Sequence, residues 1–125
     1  MPVRSSTSSV FRWPDAATVI GALRRWAEVM IPAHPEVCGI GYFGSYARGD
    51  WGVGSDLDVV MLVDRSSEPF VRRAARWDVT RPPVPADLLV YTTEEWDRLG
   101  REGRRLDRQA ELIWLEPPGH PSPEA

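Results

Sequence analysis

Apolar residues recur along this chain in two rhythms, which predict one long helix and several buried strands. Between Pro14 and Pro32 they return every three or four positions, as on the buried face of an amphipathic helix that begins at Pro14 or Asp15 and ends with Pro32 and Pro35. The helix-spaced residues are Val19, Leu23, Trp26, Ala27 and Met30. Mostly apolar runs at 37–43, 57–63 and 85–91, the last two with an Asp near their beginning, are typical of buried strands.

Shorter patterns predict the elements between and after these strands. A short helix is expected after Gly44 and Ser45, and residues 68–77 predict another helix. In that second helix we expect the apolar side chains to pack on the sheet and the arginines to face solvent. The first set is Val71, Ala74 and Ala75, and the second is Arg72, Arg73 and Arg76. Thr92 and Glu95 have the spacing of a capping box, which predicts a helix start, and residues 111–115 predict a last edge strand.

This order of elements predicts an α/β domain with a mixed sheet of about four strands and helices packed on one face. We expect the domain to occupy residues 14–116. Residues 1–13 are rich in Ser and lack periodicity, so they predict a flexible arm, and residues 117–125 predict a disordered tail.

Composition indicates the domain count and the cellular compartment, but it says little about the reaction. The 125 residues suit one domain, and the formal charge of −3 argues against non-specific nucleic-acid binding. Cys38 is the only cysteine, so no internal disulfide forms and a reducing cytoplasm is expected. No apolar run approaches the roughly 18 residues of a membrane span. A basic cluster near the end is better interpreted as a solvated helix face. It contains Arg101, Arg104, Arg105 and Arg108.

The chemistry-bearing segment joins a Gly-Ser turn to two closely spaced carboxylates. Gly44 and Ser45 lie between a predicted strand and a short helix, where free backbone N–H groups converge on an anion. Asp56 and Asp58 begin the next strand at positions i and i+2, so both side chains leave the same face. Carboxylates suit Mg²⁺, whereas two His and one Cys supply no zinc site.

This segment resembles the minimal nucleotidyltransferase family of the polymerase-beta-type superfamily, whose signature is Gly-Ser, a spacer, and Asp-x-Asp. Ten residues, 46–55, form the spacer here. The family's Ala-Arg-Gly after the Gly-Ser is present at 47–49, and its Ser before the first Asp is Ser55. The resemblance extends over about residues 15–115 and implies the polymerase-beta-type nucleotidyltransferase fold.

The resemblance also implies roles for individual residues. A third carboxylate on a neighbouring strand is expected, and Asp87 is the best candidate. Asp56, Asp58 and Asp87 would hold Mg²⁺, and Asp87 would also help deprotonate the attacking hydroxyl. Gly44 and Ser45 would bind the β- and γ-phosphates of ATP. Arg48 either contacts phosphate or forms an ion pair with a carboxylate such as Asp50; both alternatives remain open.

The acceptor is not specified by these motifs. A stand-alone domain of this size resembles the antitoxin of a two-gene system, in which the nucleotidyltransferase adenylylates a tyrosine of an all-helical HEPN ribonuclease toxin. A small-molecule nucleotidyltransferase of the aminoglycoside type is the first alternative, and a non-catalytic antitoxin that masks its partner is the second. Trp51, predicted in an exposed loop, could contact a partner. A homodimer through the edge strand at 112–115 also stays open.

Overall fold

The computed structural model describes residues 14–79, 82–103 and 112–116. Its helices and strands alternate along the chain. They are α1 (Ala16–Ala33), β1 (Val37–Phe43), α2 (Ser45–Arg48), β2 (Leu57–Val63), α3 (Phe70–Arg73), one 3-10 turn (Ala74–Arg76), β3 (Ala86–Thr92), α4 (Thr93–Arg101) and β4 (Ile113–Glu116). The predicted arm at 1–13 and tail at 117–125 lie outside the described residues, as do Arg104, Arg105 and Arg108. Among the described helices, none is long and apolar enough to cross a membrane.

The four strands form one mixed sheet in the order β3-β2-β1-β4. β1 is antiparallel to both β2 and β4, whereas β2 and β3 are parallel. Parallel pairing brings the beginnings of β2 and β3 to the same end of the sheet, with Asp58 directly opposite Asp87 and, on the other side, opposite Phe43. The predicted α/β class and four-stranded mixed sheet are confirmed.

The helices divide between the two faces of the sheet, which corrects the expectation that they share one face. Alternate residues of β2 supply two separate cores. Val59 and its face-mates pack with α1, whereas Val60 and Leu62 pack with Trp96 of α4. Because β2 is apolar on both faces, each face needs a cover, and one layer of helices cannot provide both.

Local signals at the helix ends act as predicted. The Asp15 carboxylate accepts a hydrogen bond from the backbone N–H of Thr18 at 2.8 Å and caps α1. The Thr92 hydroxyl accepts from the N–H of Glu95 at 3.1 Å, and the Glu95 carboxylate accepts from the N–H of Thr92 at 2.9 Å. This reciprocal capping box is confirmed, and it starts α4 directly at the end of β3.

The predicted orientation of segment 68–77 is wrong. Val71 is 85% exposed, whereas Arg73 is only 6% exposed. The helical part is also shorter than predicted, because α3 has four residues and continues as a single 3-10 turn. Arg73 is buried because its guanidinium donates to the backbone carbonyls of Glu68 and Val90, at 2.9 and 3.1 Å. A periodic pattern over so few residues does not fix which face is buried, and here hydrogen bonding decides it.

Candidate active site

Gly44 brings the predicted phosphate-binding turn against the Asp58 carboxylate. It ends β1 with φ 78° and ψ −148°, a conformation that is essentially restricted to glycine. A Cβ at this position would collide with Oδ2 of Asp58 and would lie 3.3 Å from its Cγ. Glycine is therefore required twice, once for the backbone angle and once because the Asp58 carboxylate occupies the space of a side chain.

The turn that follows leaves a backbone donor without a protein acceptor. The carbonyl of Gly44 accepts from the N–H groups of Ala47 and Arg48, both at 3.0 Å, which closes the single turn of α2. Within the described chain, the N–H of Ser45 donates to no carbonyl. A helix of four residues has a small dipole, so any attraction for an anion depends on such local N–H groups.

Two of the three predicted carboxylates are neighbours on the sheet, and the third lies just before it. Asp58 and Asp87 are register neighbours on β2 and β3, and Asp56 lies two residues before Asp58. Asp58 is half-buried, whereas Asp56 and Asp87 are exposed. In the part of the chain that the structure describes, none of the three side chains makes a hydrogen bond or an ion pair. Among the described residues, they are therefore acidic groups without a hydrogen-bonding or ion-pair partner.

Electrostatics couples these carboxylates. The pKa of Asp58 is raised above its ordinary value, first because burial disfavours the charged form and then because Asp87 and Asp56 are negative. Arg48 acts in the opposite sense and lowers the pKa of Asp58. A divalent cation at this place would relieve the repulsion, which Arg48 offsets only in part.

The chemistry of the donor set fits Mg²⁺, although the side chains do not form a closed cage. Across residues 14–79, 82–103 and 112–116, no three His, Cys, Asp or Glu side chains are grouped so that they could hold a metal ion by themselves. Mg²⁺ usually binds through one or two carboxylates, with waters and substrate phosphates completing its octahedron. Carboxylates without a partner among the described residues, beside the predicted phosphate-binding turn, suit that mode, and Asp56, Asp58 and Asp87 stay the predicted ligands.

Arg48 is engaged in an ion pair. Its Nε donates to Oδ2 of Asp50 at 3.1 Å, and the two side chains are 42% and 61% exposed. Of the two alternatives for Arg48, the structure contains the ion pair. The same guanidinium still influences Asp58, so a phosphate contact by Arg48 remains a prediction.

An aromatic stack that the sequence pattern did not predict packs the loop between α2 and β2 against α2. Trp51 is half-buried and stacks on the buried Tyr46, with ring centroids 5.7 Å apart and planes inclined by 5°. The prediction of an exposed loop tryptophan is therefore corrected, because the Tyr46 ring supplies an apolar surface for it. A large aromatic residue inside a Gly-rich loop was the available signal, since such a residue needs something to pack on.

Comparison with known proteins agrees with this geometry. The family model described as "Nucleotidyltransferase domain" matches residues 27–116. A crystal structure of a candidate nucleotidyltransferase from Sulfolobus solfataricus superimposes with a TM-score of 0.55 and 18% identity, covering 82% of this chain and 87% of that chain. At this identity the likeness shows the fold alone. No curated protein matches the sequence. Because the family model spans more than half of the chain and includes the Gly-Ser turn and all three carboxylates, the chain belongs to the nucleotidyltransferase domain family.

Proposed function

We propose that this protein is a Mg²⁺-dependent nucleotidyltransferase that transfers AMP from ATP to a hydroxyl group. The observation that carries the proposal is the meeting of Gly44, Asp58 and Asp87 at one end of the sheet. There, carboxylates without protein partners lie beside a turn that only glycine can make. Family membership supports nucleotidyl transfer in general, and the donor set supports the choice of Mg²⁺.

Each site residue has a separate role in the proposed reaction. The turn at Gly44 and Ser45 binds the β- and γ-phosphates through backbone N–H groups. Asp56 and Asp58 would hold Mg²⁺, which would supply positive charge that neutralises the phosphates and favours departure of pyrophosphate. Asp87 would complete the metal site and accept the proton of the acceptor hydroxyl. The hydroxyl oxygen then forms a bond to the α-phosphorus, while the bond from that phosphorus to pyrophosphate breaks.

We propose a tyrosine of a HEPN-type toxin as the acceptor, which makes the protein an antitoxin. Exposure of the site supports a macromolecular acceptor, because Asp56 and Asp87 are both exposed at the end of the sheet. Two cavities of about 300 Å³ open elsewhere on the described surface, one beside Tyr91 and one beside Leu115. Neither is lined by a motif residue, so neither serves as a small-molecule acceptor pocket next to the carboxylates.

The proposal is tested by mixing the purified protein with the product of its neighbouring gene, MgCl₂ and ATP labelled at the α-phosphate. We expect label on a tyrosine of the partner, located by mass spectrometry, and no label with Asp56→Asn. Label on a small hydroxylated compound in place of the protein would support the small-molecule alternative. Unlabelled partner that is still neutralised, by both wild type and Asp56→Asn, would support masking by binding.

A further inference from the structure

A buried tyrosine connects the two halves of the site. Tyr46 follows Ser45 directly on α2 and is only 4% exposed. Its hydroxyl donates to the backbone carbonyl of Ser55 at 3.4 Å, and Ser55 immediately precedes Asp56. The tyrosine side chain therefore extends from the phosphate-binding turn to the residue before the first carboxylate, across the whole loop that separates them in sequence.

The far end of this loop is closed by its own hydrogen bonds. The Ser55 N–H donates to the carbonyl of Gly52, and the Ser55 hydroxyl accepts from the N–H of Gly52, both at 2.9 Å. On the other side of Asp56, Leu57 is fully buried and its N–H donates to the carbonyl of Pro85 at 2.9 Å. Asp56 is thus held on both sides, by a closed turn before it and by the sheet after it.

We propose that Tyr46 is a positioning residue for nucleotide binding, which sets the separation between the Gly44–Ser45 turn and Asp56. The inference rests on the proposed function, in which the turn holds the phosphates and the carboxylates hold the metal. Two groups that bind one metal–triphosphate must keep a fixed spacing, and the irregular segment between α2 and β2 does not provide that by itself. The Tyr46 hydroxyl bond, together with the stack on Trp51, ties the loop to α2.

The test removes one oxygen atom. Tyr46→Phe keeps the ring and its stack on Trp51 but loses the bond to Ser55. Tyr91→Phe is the matched control, because Tyr91 lies on β3 beside Trp96 and its hydroxyl donates to no described residue. Binding of α,β-methylene-ATP with MgCl₂ is measured by calorimetry on the full chain at 20 °C. We expect Tyr46→Phe to raise Kd roughly 5-fold, the equivalent of one hydrogen bond, and Tyr91→Phe to leave Kd unchanged.

Further outcomes separate this inference from the proposed function. If the wild type does not bind the analogue, or Asp58→Asn binds it as tightly, the proposed function fails and the positioning role with it. If the wild type binds, Asp58→Asn does not, and Tyr46→Phe keeps the wild-type Kd, the inference alone is overturned. A purely structural role would lower Tm without moving the Kd of the folded protein. If Tyr46→Phe does not fold, Trp51→Leu removes the stack instead and is expected to raise Kd in the same direction; an unchanged Kd there overturns the inference.

Discussion

The two ends of β3 differ in whether their carboxylates have partners among the described residues. At its beginning, Asp87 lies beside Asp58 and neither carboxylate has a hydrogen bond or ion pair within the described chain. At its end, the Arg73 guanidinium donates two hydrogen bonds to the Glu95 carboxylate, at 2.6 and 3.0 Å, and the Arg73 side chain is only 8% exposed. Thr92 completes that second network through the capping box.

The difference separates a charge that stabilises the fold from charges that we propose serve the reaction. Hydrogen bonding to Arg73 is the main cause that lowers the pKa of Glu95 to about 2, so the protein favours the charged form of that carboxylate. At the other end, burial and negative neighbours raise the pKa of Asp58, so the protein disfavours its charge. Under the proposed function, the cation that offsets the charge of Asp58 arrives with the nucleotide.

The largest effect is expected from Asp58→Asn, which tests the uncompensated end. If Asp58 holds the metal as proposed, its loss should reduce AMP transfer by about 10³-fold or more, since several kcal/mol of transition-state stabilisation disappear. Stability should stay equal or increase, because the neutral amide removes repulsion from Asp56 and Asp87. Activity assays and thermal unfolding measure the two effects. Asp64→Asn, on an exposed carboxylate just beyond the other end of β2, is the control and should change neither.

Arg73→Met, at the end of β3 where the carboxylate is paired, should lower stability, in contrast to Asp58→Asn. The methionine keeps an apolar stem but leaves Glu95 without its partner, so unfolding free energy should fall by about 3–4 kcal/mol and Tm by roughly 10 °C or more. Arg76→Met is the matched control: Arg76 pairs with Glu68 at 3.5 Å with both side chains exposed, and such pairs contribute about 0–1 kcal/mol. Equal losses in the two variants, by urea unfolding, would contradict the distinction between the two ends.

The same distinction predicts opposite dependences on pH. The folded pKa of Glu95, about 2, lies below its ordinary value of 4.5, so its stabilisation is complete above about pH 4.5 and is lost as the pH falls toward 2. The loss amounts to about 3 kcal/mol. The folded pKa of Asp58 is raised above 3.8, so its contribution runs the other way and stability declines as the pH rises through that raised pKa. Urea unfolding between pH 2.5 and 7 should show a flatter acid limb in Arg73→Met, and Asp58→Asn should lose the decline at higher pH.

The strands that carry the candidate site were predictable from the sequence because local constraints set their bounds, whereas the roles of the site residues stay predictions. The boundaries of β1 and β2 and the capping box at Thr92 follow from apolar runs and capping chemistry that act over a few residues. The position of Asp87 beside Asp58 followed from the family resemblance and agrees with the strand register. Burial of Arg73 could not be predicted, since its partners lie on β3 and α4, 17 and 22 residues away. The Tyr46–Trp51 stack was missed for a similar reason, because it depends on the path of a loop.

Gly44→Ala should lower both stability and nucleotide binding, in contrast to Asp58→Asn. The new Cβ strains a backbone with positive φ and displaces the Asp58 carboxylate, so we expect a loss of about 1–3 kcal/mol in stability together with most of the nucleotide binding. Gly52→Ala is the control in the same segment, because nothing lies within 4 Å of a Cβ there and its φ is not in the left-handed region. Calorimetry and thermal unfolding on both variants measure this; a fully stable Gly44→Ala variant would contradict the packing of Asp58 against the turn.

Asp50→Asn should have the smallest effect on stability and nucleotide affinity. It also tests whether Arg48 contacts the nucleotide or only stabilises the loop. The Arg48–Asp50 pair is exposed on both sides, so its loss should change stability by less than about 1 kcal/mol. If Arg48 leaves Asp50 to contact the triphosphate, removing the competing carboxylate should tighten binding of the Mg²⁺–ATP analogue by roughly 2–3-fold, and Arg48→Gln should weaken it. If Arg48 only stabilises the loop, neither variant changes Kd. The first result would mean that Arg48 pairs with Asp50 only until the nucleotide binds. Arg48 would then belong, like Asp58 and Asp87, to the groups whose charge acts on the nucleotide and not on the stability of the fold.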